Sequence, residues 1–310
     1  MGGILRRRSG KLKSLLLVAS LVAACASAGK VKEARYRPAE NLLDILADFQ
    51  RHLKDDSYRY ETAKDITGKN INKATLVRLE NYENTHPNKM AAIVYFSRAK
   101  ALERLHDYEG AGQAYQRVAK VESKLQELAE RNFLVCLEFQ QVRDAFALQK
   151  NGEIQDRLLE LDRQTALWRE LVEKYHGNSY ESLAREEEEQ VNQAKVRFLM
   201  SSRGAIENGN AQVILAYQKI INRHAQSKNI DHHLLGLADF HVILAQEYVQ
   251  EHDPEGLGFN LAVFRRYTDP ALQLYGAIAK ERYGKLERLE AKGSLMALKA
   301  FVNRVATLAQ

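Results

Sequence analysis

His106-Asp107-Tyr108-Glu109-Gly110-Ala111-Gly112 recurs 146 residues later as His252-Asp253-Pro254-Glu255-Gly256-Leu257-Gly258, with five of seven positions identical. Each copy follows one apolar stretch of helical period and precedes another, so each reads as the turn of a helix hairpin. Gly110, Gly112, Gly256 and Gly258 are the expected turn glycines, where a missing side chain lets two backbones approach. A duplicated turn predicts a protein assembled from copied hairpins.

Outward from these turns the same periodicity continues. From Ala39 onward apolar residues recur at intervals of three and four, and beyond Pro38 only Pro87, Pro254 and Pro270 interrupt the chain. That is an all-α pattern. Breaks are expected at His86-Pro87-Asn88, His106-Asp107, Lys150-Asn151-Gly152, His176 to Ser179, Asn208-Gly209-Asn210 and His252-Asp253-Pro254. They delimit antiparallel helix pairs. Four segments also share an aromatic, two residues and an aliphatic: Tyr115 to Val118, Trp168 to Leu171, Tyr217 to Ile220 and Tyr275 to Ile278.

Across residues 92 to 125 the chain resembles the tetratricopeptide repeat, a 34-residue helix-turn-helix unit. Tyr95, Ala99, Leu102, Tyr108, Ala111, Tyr115 and Val118 stand at its signature places, whereas Arg98 and Ser123 depart from it. The second copy keeps Leu244, Ala245 and Tyr248 and diverges after Gly258. The expected fold is therefore an all-α, TPR-like helical-repeat solenoid of antiparallel helix pairs with irregular repeat length. The resemblance implies a protein-binding surface on the first helix of the good repeat, at Ile93, Phe96, Lys100, Glu103 and Arg104, with Gln246, Val249 and Gln250 in the second copy, and Phe240 and Val242 beside them. Phe96 has a second reading as a core residue.

The N-terminus carries Arg6, Arg7, Arg8, Lys11 and Lys13, then the apolar run Ser14 to Ala24, then Cys25. This is the order of a secretory signal, and the eleven residues of this run span roughly half of a ~30 Å hydrocarbon core. Leu21-Val22-Ala23-Ala24-Cys25 resembles the lipobox of bacterial lipoproteins, which implies cleavage after residue 24 and lipidation of Cys25. Ordinary cleavage after Ala24 or Ala28 is the alternative. The expected organisation is a signal peptide over 1–24, a lipidated tether over 25–39 and a helical domain over 40–310. Ala26 after the cysteine implies, by the sorting rule of enteric lipoproteins, anchoring at the outer membrane on its periplasmic face. Removing the five N-terminal cations from the formal +6 leaves about +1 for the remainder, too small a field to favour nucleic acid.

His224, His232, His233 and His241, with Asp231 and Asp239, are the cluster with metal-ligand residue types, but their spacing does not place ligands at i and i+4 on one face. Asp231 reads instead as a helix N-cap. The run Glu186 to Glu189 points around a helix in successive directions and reads as a solvated face. No nucleophile elbow, phosphate loop or dinucleotide fingerprint is present, so neither catalytic residues nor a small-molecule cofactor are proposed. The expected function is a membrane-anchored, non-catalytic scaffold that binds an envelope protein or peptide during assembly of an outer-membrane or secretion complex. A helical envelope enzyme, such as a cell-wall hydrolase, is the competing reading.

Overall fold

A computed structural model describes residues 37–55, 70–145, 153–280 and 286–309. The signal segment, Cys25 and most of the expected tether lie outside the described residues, as does the break at Lys150 to Gly152. Among the described residues there are eleven α-helices and no strand: α1 Pro38–Asp55, α2 Asn70–Thr85, α3 Ala91–Arg104, α4 Tyr108–Ala119, α5 Gln126–Asp144, α6 Ile154–Lys174, α7 Ser179–Ser202, α8 Gly209–Arg223, α9 Ile230–Glu251, α10 Leu261–Ala279 and α11 Leu286–Leu308. No helix among them is long and apolar enough to cross a membrane. Pro38, which falls within the tether expected over 25–39, opens α1 instead, where its missing N–H falls among donors that lack an intrahelical partner anyway.

Each helix packs on its neighbours in sequence, so the apolar interior is a series of linked cores. Leu42, Ile45, Leu79, Tyr82 and Val94 join α1 to α3. A larger core spans α3 to α7, a third joins α7 to α9, and Leu235, Ala238, Ala271, Tyr275, Ile278, Ala291 and Leu298 join α9 to α11. The four aromatic-aliphatic segments fall on α4, α6, α8 and α10, and all eight of their residues are buried. They mark the second helix of successive pairs, and their uneven spacing follows from helices longer than those of the 34-residue unit.

Phe139 on α5 sits at the centre of the largest core. Its ring lies 5.1 Å from Tyr108 on α4, 5.4 Å from Trp168 on α6, 5.7 Å from Tyr175 just past the end of α6, and 6.1 Å from Tyr180 at the start of α7. All four contacts are edge-on, the arrangement that aromatic quadrupoles favour. The Trp168 contact joins α5 to α6, and Glu138 adds polar contacts with Lys174 and Tyr175 at 2.5 Å each.

The duplicated segment does not keep one structure. In the first copy His106 adopts φ 61, a left-handed residue that closes α3, and the Asp107 carboxylate accepts from the Gly110 N–H to start α4 at once. Gly110 and Gly112 therefore lie inside α4. A Cβ at Gly112 would stand 3.4 Å from the Phe133 ring, so this glycine sets the close approach of α4 to α5. In the second copy His252 is extended at φ −132, and α10 begins only at Leu261, capped by Asn260. Gly256 and Gly258 lie in that connector, with Leu257 fully exposed between them. The expected equivalence of Gly110 and Gly256 fails there. Two glycines cost about 1 kcal/mol each in a helix relative to alanine, and nothing stands near Gly258 as the Phe133 ring does at Gly112.

Phe139→Ala should lower unfolding free energy by about 3 to 5 kcal/mol, since it leaves a cavity between four rings. Urea denaturation measures this, and a loss below 1 kcal/mol would contradict the central placement.

Candidate functional site

The protein-binding face expected on α3 is occupied by the chain itself. Glu103, expected to be exposed, is 2% exposed. Its Oε1 accepts from Tyr115 at 2.7 Å and from Tyr180 on α7 at 2.6 Å, with the Cys136 thiol 3.7 Å away. Its Oε2 pairs with Lys100 at 2.9 Å. The Lys100 ammonium lies 4.7 Å from the Tyr180 ring centroid and about 6 Å from those of Phe96 and Tyr115. Phe96 is half-buried, edge-on to Tyr115. Burial, followed by the Glu103 charge, raises the hydroxyl pKa of both Tyr115 and Tyr180, so both stay protonated and donate. Arg104 remains partly exposed, and Ile93 is exposed. Phe96, Lys100 and Glu103 thus belong to an internal junction rather than an open clamp.

The acidic run is also internal, against the expectation of a solvated face. Successive helical residues point about 100° apart, so three consecutive carboxylates address three different neighbours. Glu187 accepts from Tyr108 at 2.9 Å and meets His106 Nδ1 at 2.8 Å, at the α3–α4 turn. Glu188, wholly buried, receives Arg169 of α6 at 3.3 Å and Arg223 of α8 at 3.0 and 3.1 Å. Glu189 meets His233 of α9 at 2.7 Å and the Ser227 hydroxyl at 2.8 Å. Glu186, at the margin, reaches Lys228 at 3.4 Å. The sequence does carry a signal for this: Glu187 continues the buried stripe Tyr180, Leu183, Ala184 and Val191, a core position for an acid.

The histidines are distributed over separate jobs. His233 pairs with Glu189, His224 Nε2 stands 3.2 Å from the Asn192 amide, and His241 is buried with Nδ1 unbonded. His232 is exposed. Asp231, expected as an N-cap, is buried as the second residue of α9, after Asn229. Among the described residues no three such side chains are grouped as metal ligands would be.

An open groove of about 720 Å³ runs across α6, α7 and α8. Arg169, Lys195, Lys219 and Arg223 border it, with Asp162 the acid on its lining and Glu188 beneath. Lys195 pairs with Asp162, and the two arginines share the single charge of Glu188, which leaves a net positive floor. Leu215 is 54% exposed along one wall. Sequence reasoning placed these helices but not the groove, because its residues occupy the polar faces of three helices whose mutual rotation no periodicity reports.

Because Arg169 and Arg223 are partly exposed and Glu188 is not, removing the partners on the two sides should differ. Glu188→Ala should cost about 1 to 3 kcal/mol, and Arg169→Ala with Arg223→Ala about 3 to 5 kcal/mol, since the second leaves a buried charge unpaired. Chemical denaturation of both variants checks the order, and the reverse order would refute it.

Acid should weaken the fold in two stages. Burial holds the pKa values of His224 and His241 below the ordinary value, so the unfolded chain takes up those protons first and stability falls as pH drops below about 6.5. Burial alone would raise Glu187 and Glu189, but the bonds and charges of His106 and His233, with Arg143, Tyr108, Ser227 and His224, outweigh it and hold both pKa values low. Their contribution is complete above about pH 4.3 and is lost as pH falls through the depressed folded values. Urea midpoints should decline from pH 7 to 5 and again below pH 4, and His241→Phe should flatten part of the first decline. A flat profile between pH 7 and 5 would count against it.

No protein-family model matches the chain, and no curated protein matches its sequence, which leaves the groove and the helix array to carry the functional reading.

Proposed function

We propose that the protein is a membrane-anchored, non-catalytic, TPR-like lipoprotein that acts as a scaffold in the bacterial envelope, at the outer membrane, and holds another protein during assembly of an outer-membrane or secretion complex. The observation that carries this reading is the α6–α8 groove: it is built by three successive helices, has an excess of cations and exposes Leu215 on its wall. Such a surface suits an extended acidic segment with occasional apolar side chains. Helical arrays whose units stack side by side commonly bind along a surface of this kind. Burial of the signature residues Ala99, Tyr108, Ala111, Tyr115 and Val118 supports the repeat type.

The enzyme reading would draw on His106, Glu187 and Tyr108, the grouping nearest to an acid-base site. Their side chains are 8%, 6% and 2% exposed and bonded to one another, which favours a structural role. The lipid anchor rests on the lipobox resemblance around Cys25.

Two variants test the proposal in intact cells. Lys219→Glu reverses a charge on the groove and should reduce crosslinked capture of the partner by about tenfold or more, while stability moves by about 0.5 kcal/mol or less. Cys25→Ser should release the protein from membranes or leave it unprocessed. Unchanged capture would remove the groove from the proposal, and unchanged mass and membrane retention would remove the anchor.

A further inference from the structure

Helix α11 buries Ala291, Leu298 and Val305 against α9 and α10, with Phe301 and Val302 packed beside them. On its opposite side a second stripe runs Leu286, Leu289, Gly293, Met296, Ala300, at alternating steps of three and four. All five are exposed, Leu289 at 67% and Met296 at 74%. Steps of three and four form the seam by which one helix packs along another.

The charges beside the stripe say what covers it. Glu290 and Arg304 lie on one edge, each two turns from Ala297, the acid toward the N-terminus and the base toward the C-terminus; all three are exposed. We propose that this face pairs antiparallel with the same face of a second copy, about a two-fold axis near Ala297. Each Glu290 then meets the other copy's Arg304, and the bond forms twice. Gly293, Ala297 and Ala300 let the two backbones come close, with Met296 seated against Ala300 of the other copy. Lys292 and Lys299 on the opposite edge carry like charges, so the helices close on the Glu290 edge and splay on the other. One helix pair buries less than the ~1,600 Å² of a stable complex, and the dimer is accordingly reversible.

Sedimentation of the full chain, and oxidation of an Ala297→Cys variant against the wild-type background, test this directly. The wild-type chain should dimerise reversibly below ~100 µM, a modest affinity for a small interface. Glu290→Arg and Arg304→Glu should each weaken the dimer by about tenfold, and the two together should restore it, because the doubled ion pair is re-formed with its signs exchanged. Ala297→Cys should give a covalent dimer. A chain monomeric at that concentration, or single reversals without effect, would overturn the proposal. So would binding to phosphatidylglycerol vesicles that Lys292→Glu abolishes while self-association stays absent, since the face would then belong to a lipid surface.

Discussion

Three adjacent carboxylates on α7 hold the middle of the molecule together. Taking Glu187, Glu188 and Glu189 out of water is costly, and each is tolerated because a different neighbour supplies cations or donors: the α3–α4 turn for the first, α6 and α8 for the second, α9 and the turn before it for the third. An apolar helix in this place could slide or rotate at small cost. A helix with three buried acids facing three directions has one position in which all are matched. The groove inherits its shape from that constraint, since Arg169 and Arg223 stand on its two sides because they converge on Glu188.

The same helix explains why the expected clamp on α3 is closed. Tyr180 enters over Lys100 and bonds Glu103, so the acid is satisfied inside the array and the ammonium is sheltered among rings. A tetratricopeptide unit read alone leaves that face free. In this chain a segment 77 residues further on fills it.

Helices and their pairing were legible because apolar spacing is a local property. Tyr115, Trp168, Tyr217 and Tyr275 were recognised as kin and proved to mark alternate helices. What periodicity could not supply was which polar residues face inward. Glu103 and Glu187 each sit beside or within an apolar stripe, a hint overridden by the ordinary rule that acids face water. The turn copies misled for a related reason. Five shared residues fix the hydrogen-bonding groups, but the left-handed His106 is held by Glu187 and Arg143, whereas His252 stacks on Tyr248 and faces that residue's carbonyl.

The reach of α7 back to α3 bears on how the chain acquires its structure. An array in which every unit touches only the next can zip and unzip from either end, one unit at a time. Here the contacts of Glu103 with Tyr180 and of His106 with Glu187 join residues 77 and 81 positions apart. The loop between them must close before either contact forms, so α3 to α7 fold and melt as one cooperative block, more slowly than a simple solenoid of the same helices.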